Sequence, residues 1–433
     1  MRTVTFSCCS PFRSYHPLPM KPVPTWFHEA RFGILIHWGV YSLLEQGEHV
    51  LRQQLLNPSE YRRMAARFHA EKYDPDQWAA LACEAGAKYV ILTAKHGDGF
   101  CLWDTATTPF NAVQTGPRRD LVADFLRACR RHGLRVGLYY DLADWTHPGF
   151  ILGETHPEQL AKHVQTAWQQ IEELVSRYGR IDLLWFNRFP FQAAKPWRSA
   201  RLLAMIRRHQ PGILINDRLP MPPATPHSEY RTCHLPIEVG NAHAWECHFL
   251  ATQQYWGWHR SHRDPSMWRS QRELTTMLAY CVGWGGNLLL NVGPPASGAM
   301  PRPFIQRARR LGEWLRIHRN AVRKTEPTPF QAAHGWVMTQ RGRSLFCILL
   351  HWPGPALILP GFNEKLCAVK LLGRPVRFVQ ESHRVLLSGL PAREPALCSV
   401  LEMTFNRAPT LHPWARHIGN HLPPSSMVRW LDR

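Results

Sequence analysis

The 433-residue chain holds 11 cysteines but no Cys-x-x-Cys pair, and no window approaches the roughly 18 apolar residues of a membrane span. An odd cysteine count without paired spacing argues against a disulfide framework and a zinc knuckle, and leads us to expect a reducing, cytoplasmic setting. Met1 to Met20 carries Cys8-Cys9 and several prolines but no apolar core of secretory-leader length. Gly-x-Gly-x-x-Gly and phosphate loops are missing, as are the Gly-x-Ser-x-Gly elbow of Ser-His-Asp hydrolases and the His-Glu-x-x-His helix of zinc peptidases. His259 and His262 lie three apart without a carboxylate triad, so neither metal nor cofactor is expected.

Acidic residues are scarce: 32 Asp and Glu face 52 Lys and Arg, a formal charge of +20. Such a surface could dock acidic polymer by long-range attraction. The basic runs, however, are dispersed in helix-like segments (Arg130-Arg131, Arg207-Arg208, Arg307-Ala-Arg-Arg310), and no zinc-finger, RNP or basic-zipper pattern accompanies them. Nucleic acid and membrane are therefore not expected partners. Eighteen Trp and 24 His suit a cleft that stacks on and hydrogen-bonds a polar ring, although such side chains also fill cores.

From Phe32 to Ile317 short apolar runs alternate with helical patterns, the arithmetic of parallel strands joined by helices. The predicted strands are Phe32–His37, Lys88–Thr93, Arg135–Tyr140, Ile181–Phe186, Ile213–Asn216 and Asn287–Asn291. Helices are predicted from Asp74 to Gly86 with a capping box closed by Gln77, over Asp120–Gly133, and over Pro157–Gly179. Each strand up to Asn216 ends in a polar or aromatic tip: His37-Trp38, Lys95-His96, Tyr140-Asp141, Asn187, Asn216-Asp-Arg218. Tips that converge on one mouth describe an α/β fold of (β/α)8 TIM-barrel type rather than an open doubly wound sheet. Thr325-Glu-Pro-Thr-Pro329 reads as a linker. Beyond it, Trp336–Thr339, Leu345–His351, Ala356–Leu359, Ala368–Leu371 and Val376–Gln380 read as a small β-sandwich. The expected division is a barrel over residues 1–325, a sandwich over 326–406 and an irregular tail over 407–433.

Seven stretches occur in an order that resembles the family 29 α-L-fucosidases. They are Phe32-Gly-Ile-Leu-Ile-His-Trp-Gly39, Ala87-Lys-Tyr-Val-Ile-Leu-Thr-Ala-Lys-His-Gly-Asp-Gly-Phe100, Gly133-Leu-Arg-Val-Gly-Leu-Tyr-Tyr140 with Asp144-Trp145, Ile181-Asp-Leu-Leu-Trp-Phe-Asn187, Asn216-Asp-Arg218, Trp245-Glu-Cys247 with Trp256-Gly257, and Gly285-Gly-Asn-Leu-Leu-Leu-Asn-Val-Gly-Pro294. The resemblance implies a retaining glycosidase acting on a fucoside or related oligosaccharide: one carboxylate attacks the anomeric carbon and a second protonates the leaving oxygen. It places His37, Glu48, His49, His96, Tyr140, Trp185 and Arg218 around the sugar.

Departures from the family pattern matter as much as the matches. Glu48-His49 stands where the family has Glu-Trp, and Gly97 replaces the second His of a pair, so a wider or differently selective pocket is expected. At the family's nucleophile position stands Asn187, an amide without negative charge. Asp182, five residues earlier, belongs to the opposite end of the strand and is read as structural, as is Glu246. Laying Glu229-Tyr-Arg-Thr-Cys-His234 on the family's loop puts His234 at the acid position, and shifted alignments favour Glu229 or Glu238. Two readings follow: a working α-L-fucosidase-like hydrolase, or an inactive homologue that binds carbohydrate or another partner.

Overall fold

A computed structural model describes residues 23–153, 155–187, 194–220, 228–234, 244–328 and 335–413. Its first part is a ring of parallel strands: β1 (Phe32–Ile36), β2 (Tyr89–Lys95), β3 (Arg135–Asp141), β4 (Leu183–Asn187), β5 (Leu214–Ile215), β6 (Arg231–Cys233), β7 (Trp245–Leu250) and β8 (Asn287–Val292). They pair in the order β5-β4-β3-β2-β1-β8-β7-β6, and a single parallel bridge, Asn216 to Tyr230, joins the ends.

Alternation along each strand sorts side chains into two layers. Leu35, Tyr89, Ile91, Tyr139, Leu183, Trp185, Leu214, Tyr230 and Leu289 fill the interior, where Phe27 of the helix Thr25–Ala30 joins them. Ile34, Val90, Leu138, Leu184, Phe186 and Leu290 belong instead to the larger core shared with the helices. Each buried side chain of this size contributes on the order of 1.5–3 kcal/mol. Gly33 faces the interior because a Cβ there would lie 2.4 Å from the Tyr89 ring.

The helices begin as their caps dictate. Asp120 accepts from the Ala123 amide and opens Leu121–Arg131; Pro157 opens Pro157–Arg177. Asp74 likewise accepts from the Gln77 amide at 3.0 Å and opens Pro75–Glu84. The predicted capping box is not reciprocal, since the Gln77 Nε2 donates to the Asp74 carboxylate at 2.8 Å rather than returning to the backbone.

After the barrel come two antiparallel sheets, of six and three strands. Trp336–Arg341, Ser344–Leu349 and Val400–Phe405 are central to the larger; Ala356–Pro360, Arg377–Gln380 and Arg384–Ser388 form the smaller. The expected linker is itself part of this fold: Glu326–Pro327 pairs with Gln340 and Thr339 at the sheet edge, where a proline is tolerated. Val337, Phe346, Ile348 and Leu350 pack into the barrel's outer core. Much of the expected tail, residues 414–433, lies outside the described residues.

None of the nine described cysteines is joined in a disulfide, and among the described residues no helix is long and apolar enough to cross a membrane. A recess of about 920 Å³, lined by Lys88, Arg135, Arg316, Arg319, Arg323 and Lys324 among others, opens where β2 and β3 begin. It lies at the end of the barrel opposite the strand tips.

Candidate active site

Inward-facing residues at the strand tips come together as the sequence predicts for most positions. His37 follows β1, His96 follows β2, and Trp185 and Asn187 end β4; the loop after β5 supplies Arg218, and His234 follows β6. A bulge between Thr93 and Lys95 resets the alternation on β2. Lys95 therefore leaves the interior to donate to the Ala143 carbonyl at 2.7 Å and to lie over the Tyr140 ring, while His96 turns inward against His37 and Tyr139.

Tyr140 is not a pocket residue. Its hydroxyl donates to Gln170 on the outer helix at 2.7 Å, and the inward tyrosine is its neighbour. The Tyr139 ring stacks between His96 (5.8 Å, 5°) and Trp185 (5.2 Å, 14°), extending an aromatic wall inside the mouth. Below that wall lies Glu246, which accepts from Tyr89 Oη at 2.5 Å and from Trp185 Nε1 at 3.0 Å and so orients the indole. Burial pushes the Glu246 carboxyl up to about 7 against those hydrogen bonds.

Asn187 is held from two sides. Arg218 Nη1 donates to its Oδ1 at 3.4 Å, and its Nδ2 donates to Asp141 Oδ2 at 3.1 Å. A guanidinium only donates, so the partners define the amide's orientation. Asp141 is the register partner of Asn187 on β3 and is 2% exposed; its other oxygen accepts from the Ala143 amide at 2.9 Å. Burial raises its carboxyl, opposed by Lys95, the Ala143 amide, Asn187 and His49.

Arg218 also donates from Nε to Thr232 Oγ1 at 2.9 Å, lies over the Trp185 ring and meets His248 Nε2 at 3.1 Å. Because the guanidinium cannot accept, His248 Nε2 is the acceptor, and His234 Nε2, 3.3 Å from the same atom, is a donor. Burial, with Arg218, lowers the His234 pKa, so its neutral form dominates at neutral pH. The ring of Trp256 packs on His37, His234 and His248.

On the other side, His37 Nδ1 donates to Asn291 Oδ1 at 2.7 Å, which leaves Nε2 as the acceptor of a neutral ring; burial holds its pKa near 4. Glu48 Oε2 accepts from the Trp256 and Gly257 amides at 3.0 and 2.8 Å, and its Oε1 lies 3.1 Å from His49 Nδ1. Burial alone would raise the Glu48 carboxyl, yet the His49 contact and the Gly257 amide outweigh it and hold the group down at about 2. His49 packs on His96 and on Trp145.

The position of Gly97 is not open space. A Cβ there would lie 2.5 Å from the Trp145 indole, whose amide donates to the Gly97 carbonyl at 2.7 Å. The wider pocket expected from this glycine is thus filled by Trp145.

Glu229 also departs from expectation. It precedes β6, where Oε2 accepts from the Ile215 amide at 2.8 Å and Oε1 from Arg207 at 2.7 Å, so its carboxylate knits β5 to the helix Ser199–His209. Glu238 lies outside the described residues. Asp182 sits where β4 begins and accepts from Arg135 and the Val136 amide. Residues the sequence reading did not assign to the site are Tyr139, Asp141, Trp145, His248, Trp256 and Asn291; strand parity would have found Tyr139 and Asp141. Among the described residues no group of three or more His, Cys, Asp or Glu is placed to hold a metal ion.

Comparison with known proteins agrees with this architecture. A sequence model described as Alpha-L-fucosidase matches residues 13–320. Tissue alpha-L-fucosidase of Bos taurus is 31% identical over 360 residues, covering 78% of this chain and 76% of its own length. Plasma alpha-L-fucosidase of Rattus norvegicus is 32% identical over 407 residues, 86% of each chain. Among solved structures, alpha-L-fucosidase isoenzyme 1 from Paenibacillus thiaminolyticus superposes with a TM-score of 0.80 at 29% identity, over 88% of this chain and 98% of that one. The Thermotoga maritima alpha-fucosidase in complex with fucose gives 0.75 at 31% identity, over 88% and 97%. A match that spans nearly the whole barrel, in sequence and in three dimensions alike, makes this chain a member of the α-L-fucosidase family.

Proposed function

We propose that the chain is a glycoside hydrolase for α-L-fucosides or a closely related deoxysugar. The observation that carries this reading is the mouth itself. Imidazoles of His37, His96, His234 and His248 line the mouth among the aromatic faces of Tyr139, Trp185 and Trp256, and the Arg218 guanidinium joins them to Asn187. Neutral imidazoles and a guanidinium hydrogen-bond ring hydroxyls, and an indole face covers an apolar methyl group. Residue 187 is neutral at every working pH, so the covalent attack implied at that position is unavailable to it.

A second reading, sugar binding without turnover, is favoured by that same amide together with a largely neutral His234. Titration with L-fucose and assay with an aryl α-L-fucoside separate the two. Binding with aglycone release supports the hydrolase; binding alone supports the second reading; neither binding nor release removes both.

A further inference from the structure

The carboxylates round the barrel mouth are almost all committed. Glu48 clamps the Trp256-Gly257 backbone, Asp217 accepts from the amide and hydroxyl of Thr232, Asp144 from those of Thr146, and Asp98 from Tyr61 and the Phe100 amide. Among the described residues, the carboxylate in direct hydrogen-bond contact with Asn187 is Asp141. We propose that Asp141 is the general base of this enzyme, acting through a water beside Asn187, and that the reaction inverts the anomeric centre. The assignment rests on the fucoside reading above.

Position explains the role. β3 and β4 run parallel with Asp141 opposite Asn187, so both side chains leave the sheet on the interior face. Asp141 Oδ2 lies one hydrogen bond, 3.1 Å, from the Asn187 amide nitrogen. The amide at 187 cannot itself form a bond to the sugar, so a carboxylate beside it acts by activating a water, the chemistry of an inverting site. The amide keeps an acceptor and a second N–H with which to position that water, and Arg218 fixes which way it faces. Each Asp141 oxygen retains a lone pair beyond those used by Ala143 and Asn187. The base would be stronger than an exposed aspartate because burial disfavours its charge.

The step balances without a co-reactant. Water oxygen bonds the anomeric carbon as the bond from that carbon to the aglycone oxygen breaks. The water's proton passes to Asp141, and the aglycone oxygen takes a proton from the minor fraction of His234 that is protonated or, for an acidic phenol, leaves as phenolate. No sugar ester forms.

The test uses the full chain, its Asp141→Asn variant and an aryl α-L-fucoside, with proton NMR of the first sugar released. Expected are β-L-fucose as the first anomer and at least a 100-fold fall in kcat for the variant, with KM and L-fucose affinity changed less than threefold. Labelling with 2-deoxy-2-fluoro-L-fucosyl fluoride, read by intact mass, should add no sugar. Release of α-L-fucose first, an added sugar mass, or a variant as active as the native chain would overturn the assignment. Native protein that binds L-fucose yet releases no aglycone between pH 4 and 8 also overturns it while leaving the sugar site standing. Absence of L-fucose binding and of release would instead remove the fucoside reading beneath it. If the variant no longer binds L-fucose, Asp141→Glu decides: activity restored above the Asn variant supports the base, and an equally dead but L-fucose-binding Glu variant counts against it.

Discussion

Asn187 donates its side-chain amide to the carboxylate of Asp141 at 3.1 Å, across the seam between two neighbouring parallel strands. A neutral donor at this point stabilises the adjacent negative charge, whereas a second carboxylate would oppose it. Asn187→Asp therefore does more than place a carboxylate at that position.

In that variant a buried carboxyl and a half-buried one share one site, and one pKa of the pair is raised. A folded-state pKa above the unfolded value means stability that is intact below about pH 4 and is lost as pH rises through the raised value. The variant should match the native Tm near pH 4 and fall behind it by pH 8, by on the order of 1–3 kcal/mol, one to two pKa units of coupling. Thermal unfolding of both proteins across this range checks it; a gap that stays constant with pH would show that the carboxyls do not interact.

How far the sequence announced this site follows from the physics of each element. β1 to β5 and β8 are apolar runs with polar tips and were legible as strands. β6 is three residues of mixed polarity, Arg231–Cys233, and β7 interleaves Trp245, Cys247 and Phe249 with Glu246 and His248, so neither stood out. Parity was the harder matter: adjacent tyrosines 139 and 140 are chemically equal, and the pairing of Tyr139 with Trp185 settles which one faces the barrel interior. Asp141 was visible as a tip, but its role depends on a contact with the next strand. Glu229 looked available in the sequence because nothing there reveals Arg207 on the preceding helix as its partner.

The Glu48–His49 pair makes a pH window. Glu48 is depressed from 4.5 to about 2, so its contribution is present above about pH 4.5 and lost as pH falls toward 2. His49 is raised above 6.5 because the Glu48 hydrogen bond and charge outweigh burial; its contribution is present below 6.5 and lost as pH rises through the folded value. The coupling should be largest between about pH 4.5 and 6.5. Double-mutant cycles with Glu48→Gln and His49→Gln, followed by chemical unfolding, should give about 0.5–1 kcal/mol there, since solvent screens the partly exposed His49 imidazole, and less at pH 9.

Gly97 is a steric requirement rather than a widened pocket. Its missing Cβ is the space in which the Trp145 indole lies, next to His96 and His49. Gly97→Ala should cost about 1–3 kcal/mol through overpacking. Trp145→Ala in the same background should recover part of that loss, a non-additivity that equilibrium unfolding of the four proteins would reveal; simple additivity would place the strain elsewhere.

Glu246 supports the aromatic wall from below at an electrostatic cost. Its carboxyl, about 7 in the folded chain against 4.5 for the free group, is favourable when protonated, so the native fold loses stability as pH rises from about 4.5 through 7. Glu246→Gln retains an oxygen for Trp185 Nε1 and gives the Tyr89 hydroxyl an amide to accept from, without a charge to bury. The variant should equal the native protein near pH 5 and exceed its stability at pH 8 by about 1–3 kcal/mol. A variant weaker than the native chain at both pH values would mean that the geometry of the carboxylate, and not its charge, holds Trp185 in place.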